Sequence, residues 1–209
     1  MKARLSCWWK HLKTVTKHRW IVFQQCAKCG YFWQGLTHDL SKLSRAEFSS
    51  SARYFQGCRS PIEAEKAAQG YSAAWLHHKG HNPHHWEYWT DFDELDGHII
   101  ANKIPYRYVV EMVCDWIGAG MVYSQDKWTQ SEPLAYYDKV RKGRHFHEET
   151  EILLRFFLEV IKDYGLNKFY EVARSDKLRF LYDIRMINWA LKDWFEEDEE
   201  EDEEEDNEE

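Results

Sequence analysis

His38 and Asp39 stand side by side at the head of the pentapeptide His38-Asp39-Leu40-Ser41-Lys42. Imidazole nitrogen and carboxylate oxygen are donors that Zn, Fe, Mn and Ni accept, so the doublet is a candidate ligand pair. On a helix, adjacent side chains point about 100° apart, yet both can reach an ion lying over their shared edge. Lys42, at i+4 from His38 and i+3 from Asp39, then lies beside them, a positive neighbour for a phosphate. Upstream, His18 sits within a long amphipathic pattern, and a turn across Gly30–Gly35 lets two helices run antiparallel and brings His18 opposite His38. Downstream, Asp115 lies among Met112, Val113, Trp116 and Ile117. A carboxylate on so apolar a helix needs a partner, because unpaired buried charge is costly. Glu111, one turn earlier on the same face, is read as an acceptor behind the ligands or as a general base.

The segment from Trp75 to Trp89 holds His77, His78, His81, His84 and His85, five of the eleven histidines in the chain. They cannot all serve one ion, and His78 is the first choice for extending the site. Asn82-Pro83 is a helix-start signal. It puts His84 and His85 in a first turn, where free N–H groups and the positive helix end favour the neutral, metal-binding imidazole; the choice between the two stays open. His77 and His81 are read as rim residues and His11 as a satisfied polar position. His145 and His147 belong to a solvated basic lead-in. Trp86, Tyr88, Trp89 and Trp116 are read as core, with base stacking as the rival role.

These residues have to be held by helices. Apolar spacings of three and four predict a helix from Leu5 to about Cys29. A second should start near Thr37 and carry the doublet, and Ser44 with Glu47 has capping-box form for a third reaching Tyr54. Gly57 to Pro61 reads as loop, 62–79 as one helix ended by Gly80, 90–103 as loop. Pro105 opens a helix through Asp115; others are expected near 134–142 and 148–164, with Gly165 as a C-cap, and over 167–195. No convincing strand pair is visible. The fold class is therefore all-α: one domain over 1–195, with a site-bearing core at about 10–120 and a helical extension at about 124–195.

Apolar residues make up 44% and aromatics 16% of the 209 residues, which excludes a disordered chain. The net charge of −8 is misleading. Residues 196–209 are an almost unbroken carboxylate run, expected to be a disordered tail, and the remainder is mildly basic. Cys26 and Cys29 form a lone CxxC, read as buried thiols because a structural zinc site usually needs four ligands. The N-terminus lacks a signal-peptide pattern and no apolar stretch approaches the roughly 20 residues of a membrane span. The expectation is a cytoplasmic protein without a membrane partner; the acidic tail would be repelled by nucleic acid.

His18, the doublet His38-Asp39 within HDLSK, and the distant Asp115 resemble the H…HD…D signature of the HD superfamily of metal-dependent phosphohydrolases. These residues lie in longer motifs: His18-Arg19 with Val22, the HDLSK pentapeptide, His78 to Trp89 as HxxxNxHHWEYW, and Glu111 to Trp116 as EMVCDW. They are similar, more narrowly, to an uncharacterised bacterial and phage family of unknown function, over about residues 10–120. Ser41 replaces the usual Gly of HDxGK. The resemblance implies a five-helix core in which His18, His38, Asp39 and Asp115 hold one ion. It further implies that Asp39 bridges to a second ion held by His78 and His84 or His85. The implied cofactor is one or two divalent ions (Mn, Fe, Co, Ni or Zn, with Mg possible), and the implied reaction is hydrolysis of a nucleotide or other small phosphoester. Asp39 would orient the attacking hydroxide, and Lys42, with Arg19, would neutralise the phosphate. A di-iron oxygenase of the same fold and a non-catalytic, metal-stabilised interaction protein are the alternatives. Substrate identity and oligomeric state are not legible.

Overall fold

The computed structural model describes residues 2–56 and 60–191, with side chains from residue 8 onward. The acidic run 196–209 and most of the 57–61 loop, including Cys58, lie outside the described residues. Helix dominates, as the periodicity predicts. Helix α1 (Lys2–Lys28) is followed by the short α2 (Phe32–Thr37), then α3 (Arg45–Tyr54), α4 (Pro61–Gln69) and α5 (Ala73–His81). After a hairpin come α6 (Tyr106–Tyr123), α7 (Glu132–Val140), α8 (Glu148–Ala173), α9 (Asp176–Asp183) and α10 (Ile187–Ala190). No helix among the described residues is long and apolar enough to cross a membrane.

Helix α6 is the axis. Val109, Val110, Val113, Cys114 and Ile117 are fully buried on it, so it is apolar on more than one face and must be covered from several sides. Helix α1 covers one side and α8 another, through Leu153, Leu154, Phe157, Leu158 and Ile161. Each such buried side chain contributes about 1.5–3 kcal/mol. Two glycines set how closely the site-bearing helices approach. A Cβ on Gly118 would stand 2.5 Å from Val22 Cγ2, and one on Gly35 would stand 2.6 Å from Cys26 Cβ. Only hydrogen at these positions lets α6 and α2 lie this close to α1.

Several local readings are corrected. The doublet does not lie on a helix: α2 stops at Thr37, and Leu40–Leu43 is a 3₁₀ turn. The expected 62–79 helix is two, broken where Gly70 takes φ 80° and Ser72 caps α5 by accepting from Trp75 N–H at 3.0 Å; Gly80 lies inside α5. Asn82-Pro83 opens no α-helix; a turn leads into a 3₁₀ segment, Trp86–Trp89. Residues 90–103 contain a small hairpin, β1 (Thr90–Phe92) antiparallel to β2 (Ile99–Ala101), with Asp91 opposite Ile100. Strands this short carry too little alternation to be read. Gly165 (φ 84°, ψ 175°) does leave the helical conformation as its reading as a C-cap expects, so α8 is two helical runs joined by a kink at that residue. Buried Phe169, Tyr170 and Ala173 draw the continuing turns back onto the core, where Tyr106 Oη donates to the Ala173 carbonyl at 3.2 Å.

Candidate metal centre

His38 leaves α2 in an extended conformation (φ −49°, ψ 129°), and Asp39 is left-handed (φ 54°, ψ 28°). Asp is one of the few residues that adopts this region without large strain. The break turns both side chains inward, and a clamp holds it. Arg19 Nε donates to the His38 carbonyl at 2.9 Å and its Nη2 to the Leu36 carbonyl at 3.2 Å. Arg19, expected beside a phosphate, is thus committed to the backbone of the doublet.

Asp39 is 1% exposed and its two oxygens face two groups of donors. On the Oδ2 side, His18 Nε2 lies at 3.6 Å and His38 Nε2 at 3.3 Å. Asp115 Oδ1 closes this group, 3.0 Å from His18 Nε2 and 3.4 Å from His38 Nε2. On the Oδ1 side, His78 Nε2 lies at 3.3 Å and His84 Nε2 at 3.5 Å. His85 Nε2 is 2.9 Å from His78 Nε2, so both members of the 84–85 pair converge here. Lys42 Nζ sits 2.5 Å from Asp39 Oδ2.

Donors bonded to one ion at about 2.1 Å stand about 3.0 Å apart at right angles and about 3.4 Å apart at tetrahedral angles. The separations above bracket those values. His18 Nε2, His38 Nε2, His84 Nε2 and Asp39 Oδ1 are buried without a hydrogen-bond partner. Buried polar atoms are normally satisfied; these four instead face shared points. The two groups, joined by Asp39, can each hold a metal ion.

The far sides of the rings are anchored by carboxylates. Glu111 Oε1 accepts from His38 Nδ1 at 2.8 Å and lies 3.2 Å from His84 Nδ1, while Gln34 Nε2 donates to Glu111 Oε2. Glu47 takes His78 Nδ1 at 2.8 Å and His77 Nδ1 at 2.7 Å. A proton held on Nδ1 leaves Nε2 as the lone-pair nitrogen facing inward, the usual support of a metal-ligating histidine. Of the two roles read for Glu111, this geometry is that of the acceptor.

Burial disfavours charge on His38, but Asp39, Asp115 and Glu111 outweigh it and raise its pKa well above 6.5. Burial likewise opposes ionisation of the carboxylates, and the histidines overcome it. Asp39 is held well below the usual range by His38, Lys42 and His78, Asp115 by His18 and His38, and Glu111 is lowered to about 2 by His38 and His84. Burial keeps His85 strongly neutral and lowers His78 as well.

Other sequence-read residues fall outside. His11 packs between Phe48 and Phe55 at 5.1 Å from each ring. His81 donates to the His77 carbonyl, and His147 caps α8 by accepting from Glu149 N–H at 3.2 Å. Trp116 is core, stacked near Tyr137, whereas Tyr88 is 45% exposed. Sequence reading missed Glu47, whose capping-box position disguised its carboxylate's role, and Gln34, which carried no signal. The Ser44 half of the box is real, accepting from Glu47 N–H at 3.3 Å.

A family model described as a family of unknown function (DUF5662) matches residues 7–160, a span that takes in every candidate ligand. No curated protein and no solved structure matches the chain.

Proposed function

Because the chain belongs to the family of unknown function DUF5662, whose description names no activity, we propose its function from the site: hydrolysis of a nucleotide or other small phosphoester, dependent on a dinuclear metal centre. One observation carries this reading. Three unpartnered buried imidazole nitrogens and the opposed oxygens of one carboxylate converge on two adjacent points. The order His18, His38-Asp39, Asp115 is that of the HD superfamily, and the HD-like relation is part of the proposal.

In this reading His18, His38, Asp39 and Asp115 hold one ion, and Asp39, His78, His84 and His85 the other. The imidazole-rich donor set favours Mn, Fe, Co, Ni or Zn over Mg. Ions bound there supply Lewis acidity and lower the pKa of a coordinated water toward neutrality. The chain's own groups do the rest. Asp39 fixes the spacing of the two halves. Glu111 and Glu47 hold the Nδ1 protons and so keep Nε2 available. Lys42, bound to Asp39 through one of its three donors, offers the others to phosphoryl oxygens as charge develops.

The test is elemental analysis of protein purified without a chelating tag, for wild type and His78→Ala, with turnover of a phosphoester panel in Mn, Co, Ni or Mg. Two ions in the wild type, about one in the variant, and hydrolysis of at least one ester are expected. Metal bound without hydrolysis of any ester overturns the reading; two irons with an oxygen-sensitive spectrum would then mark an oxygenase.

A further inference from the structure

A cleft of about 410 Å³ reaches the site from the side of Glu111, with His38, Asp39 and His84 on its floor. Its size is that of a small-molecule pocket. The outer wall is built from groups that the metal centre does not use. Trp33, on α2, is 75% exposed, and its indole is braced edge-on against Phe32 with ring centroids 5.2 Å apart. A large aromatic ring among the cleft-lining residues is therefore exposed to water.

Across from α2, Arg107 opens the first turn of α6. Its guanidinium lies over the Tyr108 ring at 4.6 Å and donates to Tyr108 Oη at 3.0 Å. Among the described residues no carboxylate pairs with it. Gln34 ties the two walls together, donating to the Arg107 carbonyl at 3.0 Å and to Glu111. A preformed guanidinium without a counter-ion, beside a fixed aromatic ring, recognises an anion joined to a planar ring.

We propose that this cleft binds the part of the substrate remote from the reacting phosphoryl group, with a planar base stacked on Trp33 and a second anionic group on Arg107. The inference rests on the phosphoester reading of the site and narrows it to nucleotides carrying at least two anionic groups. It makes Trp33 and Arg107 specificity-determining residues, while the metal centre stays indifferent to the base.

Equilibrium binding tests it, by titration calorimetry on the full chain in chelator, so that neither turnover nor coordination contributes. The probes are adenosine diphosphate and inorganic pyrophosphate, against wild type, Trp33→Ala and Arg107→Ala. Both side chains are exposed, so both variants fold. Trp33→Ala should weaken the nucleotide about 5- to 150-fold, the range for losing one base–aromatic stack, with pyrophosphate unchanged. Arg107→Ala should weaken both probes about tenfold or more. No nucleotide binding in the wild type, or variants that bind it as the wild type does, overturns the proposal. Hydrolysis of a small aryl phosphate by the Mn-loaded wild type is measured separately: if it fails while the binding pattern holds, the phosphoester reading falls and the cleft assignment stands as a nucleotide site.

Discussion

Gly118→Ala adds one methyl group where α1 and α6 cross. The new Cβ would stand 2.5 Å from Val22 Cγ2, whereas carbon atoms in contact sit about 3.5–4.0 Å apart. Val22 is fully buried and β-branched, so its methyl cannot swing aside within a helix. Relief requires the helices to part by about 1 Å or more. His18 lies one turn before Val22 on α1, and Asp115 one turn before Gly118 on α6. Their 3.0 Å Nε2–Oδ1 separation would open toward roughly 4 Å, while a metal site tolerates about 0.2 Å in each bond. The fold should survive. Overpacking costs about 1–3 kcal/mol, and the better helix propensity of Ala returns about 1 kcal/mol. The expected phenotype is a loss of metal affinity of about 10- to 100-fold or more, with a modest fall in chelator-treated stability. Competition against a chromophoric chelator reads the first and urea unfolding the second. Val22→Ala in the same chain should restore affinity. Wild-type affinity in Gly118→Ala alone would refute the claim that this crossing positions the ligands.

Glu47→Gln removes the charge behind His78, and the second ion should weaken about 10-fold while the first is unaffected; a two-phase metal titration separates them. Asp39→Asn and Asp39→Ala should both abolish tight binding of both ions. In chelator, urea unfolding should find Ala about 1–2 kcal/mol less stable than Asn, because Asn tolerates the left-handed backbone and Ala does not; equal stabilities would contradict the strain. The metal-free protein should be most stable near pH 6.5, because His11, His78 and His85, held neutral by burial, cost stability as pH falls below their unfolded value near 6.5. His38, its pKa raised in the fold, contributes fully below its unfolded value near 6.5, a contribution lost as pH climbs through the folded value. Asp39, Asp115 and Glu111, lowered in the fold, contribute above about pH 4 and lose it as pH falls through their folded values. The Mn-loaded protein should gain stability over the metal-free form from pH 6 to 8, as His38 yields its proton to metal; scanning calorimetry across that range would show a narrowing gap if this is wrong.

His18 and Asp115 were legible because each interrupts an apolar helix face, where a polar side chain must find partners at the same depth. His38-Asp39 was legible as a pair of donor types, but its backbone was not. HDLSK contains neither Gly nor Pro, and nothing local announces that Asp39 turns left-handed; the carbonyl clamp from Arg19 holds that turn, and a clamp from a distant helix leaves no mark on the pentapeptide. Pro83 misled for a complementary reason. Its fixed φ suits a turn as well as the first position of a helix. Glu47 satisfied a local rule so well that a second role for its carboxylate went unseen.

The His77–His85 stretch is short, and it keeps its imidazoles close together even in an unfolded chain. His18, His38-Asp39 and Asp115 are scattered over most of the family-matched span and meet only after α1, α2 and α6 have packed. A metal ion offered during folding therefore finds the second half of the site long before the first exists. Binding to the unfolded chain reduces the stabilisation that metal gives the native state, so thermal shifts on metal addition should understate the native affinity. Glu47 and the His77 carbonyl, by engaging His77 and His81, withdraw two of the stretch's five imidazoles from that competition once α3 and α5 have docked.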